Sequence, residues 1–304
     1  MLDFLRTIRE IYLNKGANYL TLWYRPRDIE DIDNYTEDIA SNNVGIVIQG
    51  NLKYDDDFTY NTVKLYRHYY PQATIIVSCW NTDLIETIDR IRELGAKVVI
   101  SEFPTVRKGF GPNNLQLMTT KHGIDYAEKL GCNYILKTRS DQRLYQPCVF
   151  TFFKKLLLQY PLKLNIPNSG RIITCSLSTF TNRLYNISDM LLFGRIEDIK
   201  RYFSCPVDNR DPSEEYKEKN QIEYSKQRCG EIYFASHYIE SMGFNLRWTK
   251  EDSDYYRKEL FIVVDSESID QYWPKYTNRE YRWRRYKKDV LSQSSFMEWL
   301  TLQD

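Results

Sequence analysis

Short apolar runs alternate with amphipathic stretches through the first half of the chain. Val44-Gly-Ile-Val-Ile48 is apolar throughout, the pattern of a strand buried on both faces. Phe58 to Tyr69 reads as a helix stopped by Pro71. Thr74-Ile-Ile-Val-Ser-Cys79 is the next strand, and Thr82 is placed to cap a helix that ends at Gly95. Lys97-Val-Val-Ile100 predicts a third strand. From Asn113 or Asn114, Leu115, Met118, Tyr126 and Leu130 recur at helical spacing as far as Gly131. Tyr134–Lys137 is the fourth strand. Continuous apolar strands joined by helices predict a parallel sheet covered on both faces, with right-handed crossovers.

The second half is less regular. Pro147 to Tyr160 predicts a helix, Arg171–Cys175 a strand, Ile187–Gly194 another strand, and Arg195 to Phe203 a helix. Residues 204–228 are polar, with no apolar period, and read as a mobile loop or lid. Glu231 to Met242 is helical again, and Phe261–Val264 is a last short strand. No internal repeat and no linker between independent domains is visible.

Composition narrows the class. With 304 residues the chain can bury a large core. Its formal net charge is +1, which excludes a whole-molecule nucleic-acid binder. Six cysteines are scattered without a CxxC pair, and three histidines are too few for a zinc site, so a reducing compartment is expected. Met1 to Lys15 mixes charges with apolar residues, unlike a signal peptide. No apolar run approaches the roughly 20 residues of a membrane span. The expectation is a soluble or peripheral cytoplasmic protein.

The chemistry gathers after the strand ends, where open α/β sheets place their ligands. Gln49-Gly50-Asn51 follows the first strand; its glycine permits close backbone approach and its amides offer base or ribose contacts, unless it is an ordinary turn. Trp80 follows the second strand and suits stacking on a base or sugar, or the core. The stretch Arg107-Lys-Gly-Phe-Gly-Pro-Asn113-Asn114 combines cations and glycines before a helix, as a phosphate cradle does, though it matches neither GxGxxG nor a P-loop. After the fourth strand, Lys137, Arg139 and Arg143 surround Asp141. That cluster suits a phosphate held directly or through a metal, or a surface ion-pair turn. All four sites converge on one crevice. Asp189 and Glu231 are candidate bases; Asp189 is preferred, because an acid such as Glu231 is also favoured in a first helical turn.

Several of these stretches resemble the WavE lipopolysaccharide-synthesis family, placed with glycosyltransferases of the GT-A type. They are Val47-Ile-Gln-Gly-Asn51, Ser78-Cys-Trp80, Asn113-Asn-Leu-Gln116 with Thr119-Thr-Lys-His-Gly123, Leu136-Lys-Thr-Arg-Ser-Asp141, and Tyr185-Asn-Ile-Ser-Asp-Met-Leu-Leu-Phe-Gly194. The resemblance runs from roughly residue 44 to 205. It implies a GT-A-like Rossmann-type α/β fold, with a mainly parallel sheet flanked by helices and a less regular C-terminal acceptor half. It also implies transfer from a nucleotide-sugar, a UDP-sugar first, to a lipid-linked surface glycan such as lipopolysaccharide core, O-antigen or capsule. By position Asp141 matches the DxD motif with which many such enzymes hold Mn2+ or Mg2+, but the second acid is absent from Ser140-Asp141-Gln142-Arg143; Arg139 and Arg143 are the alternative neutralisers of a diphosphate.

On this reading residues 1–43 form an N-terminal segment, 44–146 the nucleotide-sugar half, 147–265 the acceptor half, and 266–304 a basic and aromatic tail. From Lys275 to Lys288 seven cations face one acid, and Trp273, Tyr276, Tyr281, Trp283 and Tyr286 interleave. The composition suits an anionic membrane surface or single-stranded nucleic acid, or else a solvated helix; the membrane is preferred, because lipid-linked glycans are built there. Two other functions fit less fully. A sugar-phosphate nucleotidyltransferase would want a glycine-rich loop after the first strand, where only Gly50 stands. A non-catalytic nucleotide- or glycan-binding protein would bind without turnover.

Overall fold

The structure, a computed structural model, describes residues 25–27, 38–214, 220–274 and 292–303, together with Phe4, Thr7, Ile8 and Glu10. The expected alternation forms. Strand β1 (Val44–Gln49) is buried along its whole length. It is followed by helix α1 (Phe58–Tyr69), β2 (Thr74–Trp80), α2 (Ile85–Glu93), β3 (Lys97–Ser101), α3 (Asn113–Lys129) and β4 (Tyr134–Arg139). These four strands pair in parallel, with β1 between β2 and β4.

Beyond β4 come the short strand β5 (Arg143–Leu144), α4 (Val149–Gln159), β6 (Ile172–Cys175), β7 (Leu192–Arg195) and α5 (Ile196–Tyr202). They are followed by α6 (Gln221–Lys226), α7 (Glu231–Ser241), α8 (Lys250–Leu260), β8 (Phe261–Val264), β9 (Gln271–Tyr272) and α9 (Phe296–Thr301). The sheet order is β3-β2-β1-β4-β7-β6-β8, and β5 pairs separately with β9. The sheet is mainly parallel, but β7 runs antiparallel to both β4 and β6.

Period-two alternation sends side chains to two cores. Ile46, Ile48 and Leu136 pack with α1, α2 and α4, while Val47, Ile135 and Leu192 pack against α3, α5, α7 and α8. The chain doubles back at one place. From β1 it builds outward through β2 to β3, then crosses to the other side of β1 to lay down β4. The crevice at such a reversal is where doubly wound sheets bind ligands.

Four local expectations change. Thr82 caps nothing: α2 starts after Leu84, and Asp83 instead accepts from the Leu52 and Trp80 amides, tying that turn to the loop after β1. Of the 187–194 stretch only the last three residues are strand, the start of β7 (Leu192–Arg195). Upstream, the backbone bonds to side chains instead, Ser188 N–H to Thr179 and the Ser188 carbonyl to Thr174. The 204–228 stretch contains α6 and a 3-10 turn at Pro212–Glu214, so among the described residues it is not structureless. Helices α8 and α9 were not anticipated. Residues 275–288, the expected basic surface, lie outside the described residues. Among the described residues no helix is long and apolar enough to cross a membrane.

Candidate functional site

A cleft of about 240 Å³ opens where β1 and β4 end side by side. The end of β1 supplies Gln49, Gly50 and Asn51, and Lys53 follows. Trp80 comes from β2, Pro112, Leu115 and Gln116 from the start of α3, and Arg139, Ser140 and Asp141 from the end of β4. The floor is tightly sewn. Ser140 N–H donates to the Gln49 carbonyl at 3.0 Å, Gly50 N–H donates to the Ser78 carbonyl at 3.0 Å, and the Ser140 hydroxyl donates to the Asn51 carbonyl. Gly50 has φ +108°, a conformation that L side chains rarely adopt, so the turn after β1 needs glycine. Trp80 is both core and wall: it is 1% exposed, stands edge-on to Phe103 and lines the cleft.

Amides dominate one side of the cleft. Gln49 Oε1 accepts from the Thr119 hydroxyl at 2.9 Å. Gln116, 7% exposed, has a buried Nε2 with no hydrogen-bond partner among the described residues. A buried donor left unpaired costs roughly 1–3 kcal/mol, which a ligand acceptor would recover.

Charge dominates the other side. Arg139 donates from Nε and Nη2 to the two carboxylate oxygens of Asp141 at 2.8 and 2.9 Å. The Trp273 indole N–H donates to Asp141 Oδ2 at 3.0 Å, and its ring lies 5.2 Å from the guanidinium. Burial alone would push Asp141 upward, but Arg139 and Trp273 hold its pKa below the ordinary carboxylate value.

Behind Arg139 lie the two acids, Asp189 and Glu231. Asp189 is 5% exposed, and its carbonyl accepts from the Lys137 ammonium. Glu231 is partly exposed at the first turn of α7. Burial first, and the neighbouring Asp189 charge second, lift its pKa to about 7, against the pull of Arg183 and Arg139. The Tyr202 hydroxyl, buried without a hydrogen-bond partner among the described residues, feels both acids. Asn113 steadies this end, donating to the Gly230 carbonyl just before Glu231 at 3.4 Å.

Other expected residues go elsewhere. Arg143 turns to the opposite face. It donates to the Thr62 hydroxyl, the Phe58 and Arg27 carbonyls and the Tyr145 hydroxyl, and its guanidinium lies 4.5 Å from the Phe58 ring. Every arm of the fork is engaged there, so Arg143 is structural and does not line the cleft. Lys137 shares a sheet face with Arg139 but lies one step deeper, fully buried, and burial lowers its pKa to about 8. Its ammonium holds up Asp189 rather than reaching the cleft.

The 107–114 loop already holds an anion. Asp208, 2% exposed, accepts from Phe110 N–H at 3.1 Å and pairs with Arg210 at 2.6 Å. Asn114 fastens the same contact, donating to the Asp208 carbonyl and accepting from its N–H. Asn114 is therefore a tether between two loops and is not part of the cleft lining.

The family model for WavE lipopolysaccharide synthesis matches residues 44–276. The chain belongs to the WavE lipopolysaccharide synthesis family. The WavE match contains the whole cleft, both acids and Trp273. Among curated proteins, none matches the chain. Solved structures with a similar trace include a nucleoside-diphosphate-sugar pyrophosphorylase from Vibrio cholerae RC9, 11% identical, with 75% of this chain and 94% of that one aligned at TM-score 0.38. A glycosyltransferase involved in glycosylating the major capsid of PBCV-1 is 13% identical, covering 73% of this chain and 82% of its own at TM-score 0.32. Neither likeness is close enough to carry an activity over.

The cation site implied for this WavE chain by its GT-A resemblance can be tested on the donor set. Asp141 is the one acid among the cleft-lining residues, and both of its oxygens are taken by Arg139 and Trp273. No group of three or more metal-binding side chains gathers among the described residues. This arrangement does not fit a divalent cation. Sequence reasoning missed Lys53, Gln116 as a cleft residue, and the place of Trp273, read from the sequence as part of the basic and aromatic segment, which reaches Asp141 across 132 positions. Lys53 follows Asn51 closely enough to have been named; nothing local signals Trp273.

Proposed function

We propose that this WavE protein is a glycosyltransferase that binds a nucleotide-sugar in the β1–β4 cleft and transfers the sugar to a glycan acceptor held beside Glu231. The observation that supports it most is the placement of a fixed guanidinium, Arg139, at the sheet's reversal point, between an amide-lined cleft and an acid pair. Gln49, Asn51 and Gln116 would take the nucleoside, with Trp80 as an apolar wall. Arg139 and Lys53 would balance the charge that develops on the departing diphosphate. Glu231, with a pKa near neutrality, is matched to remove the acceptor hydroxyl proton as the bond to the sugar forms. Burial, with the charge of buried Asp189 adding to it, keeps Glu231 basic. Family membership supports a lipid-linked acceptor of lipopolysaccharide type, and a UDP-sugar is the first donor to try.

A thermal-shift screen of nucleoside diphosphates and nucleotide-sugars tests the reading. A ligand at a hundred times its dissociation constant stabilises by about 2.7 kcal/mol, so a true donor will stand out. Hits are then incubated with acceptor and assayed for released nucleoside diphosphate. Pyrophosphate release from a nucleoside triphosphate and a sugar 1-phosphate would replace this reading with a nucleotidyltransferase.

A further inference from the structure

We infer that the donor's diphosphate is bound by Arg139 without a bridging metal ion, and that Asp141 and Trp273 are positioning residues that fix the guanidinium for that task. The inference rests on the donor reading above and names the chemistry of its phosphate subsite.

The geometry is directional. Asp141 grips Arg139 along one edge only, through Nε and Nη2. Nη1 makes no hydrogen bond among the described residues, although Arg139 lines the cleft. A guanidinium is planar with its donors in a rigid fork, so fixing one edge aims the other. Trp273 completes the clamp, its ring against the guanidinium and its N–H on the carboxylate. Arg139 and Asp141 side chains are 26% and 16% exposed, buried enough for the pair to hold yet open to a ligand. To bind a cation, Asp141 would have to leave Arg139 and break two charge-assisted bonds in a partly buried site, a costly exchange. Keeping the pair leaves two cations, Arg139 and Lys53, against one acid on the cleft wall. The diphosphate brings the negative charge that such a wall lacks.

The test is calorimetric titration of the full-length chain with UDP, GDP and inorganic pyrophosphate, in EDTA and in Mn2+. At least one nucleoside diphosphate should bind with the same affinity in both buffers. Arg139→Ala should weaken it roughly ten- to a hundredfold, and Arg139→Lys should restore only part of the loss. Asp141→Asn and Trp273→Phe should each weaken binding several-fold while the far-UV circular dichroism of the folded protein is unchanged. Neither should have any further effect in the Arg139→Ala background, because both act through Arg139. Binding that appears only with Mn2+, and disappears in Asp141→Asn, overturns the inference and leaves the donor reading intact. A several-fold Asp141→Asn effect that persists without Arg139 also overturns it. No nucleotide binding in either buffer overturns the donor reading and this inference together.

Discussion

Glu231 takes its chemistry from its surroundings. Alone in the first turn of a helix, an acid is ordinary decoration. Burial first, with Asp189 beside it, makes it a group with a pKa of about 7. If it is the base, kcat/KM rises with pH through about 7 as the carboxylate forms. Asp189→Asn removes a like charge, so Glu231 ionises more easily and the profile moves to lower pH. Glu231→Gln lowers kcat by about 10²–10⁴ while donor affinity holds. A pH series of initial rates on the three proteins decides this, and an unmoved midpoint in Asp189→Asn would uncouple the pair. Asp141 and Arg139 were readable as partners because they stand two positions apart at a strand end. Arg143 was not, since adjacency in sequence does not reveal the face to which a turn sends a side chain. Here the Phe58 carbonyl and ring claimed it.

At the scale of elements, the 107–114 loop shows how a motif can be right in chemistry and wrong in occupant. Its backbone does bind an anion, through Phe110 N–H, but the anion is Asp208 from the chain itself. The polar 204–228 stretch looked structureless because Asp208 and Arg210 pack onto a distant loop rather than onto a periodic face. Gly109 is the tightest point, with φ +84° and only 2.8 Å from the position of an added Cβ to Asp208 Cβ. Gly109→Ala should therefore destabilise the protein by at least about 1–2 kcal/mol, the cost of left-handed backbone for an L residue. Urea denaturation measures that loss. Limited proteolysis should show faster cutting between 204 and 228, while nucleotide affinity stays unchanged because Gly109 does not line the cleft.

At the scale of the whole molecule, two acids with pKa values raised by burial contribute stability on the acid side of neutrality. Asp198 is fully buried; burial, with Glu197 adding, raises its pKa from 3.8 to about 6. A raised folded-state pKa means that the fold holds a proton the unfolded chain releases. The contribution is thus complete below about pH 4 and lost as pH rises through about 6; Glu231 extends the same slope to about 7. Asp198→Asn keeps an acceptor for the Ser169 amide at 3.0 Å and removes the ionisation. It should raise stability by roughly 1–3 kcal/mol near pH 8 and by little near pH 4, as read from melting curves at both. The parallel half of the sheet was legible because its strands are continuous apolar runs. The antiparallel β7 and the β6–β8 pairing were not, because four-residue strands carry too little pattern to name a partner. That split has a temporal meaning. Strands β1 to β4 and their helices are consecutive, so they can assemble as the chain leaves the ribosome, and the cleft walls from Gln49 to Asp141 come with them. Trp273 and the fully buried Trp299 arrive last, with Trp299 seating α9 against Tyr160. A nascent chain therefore owns the walls of its nucleotide cleft well before it owns the indole that steadies Arg139 or the helix that closes its core.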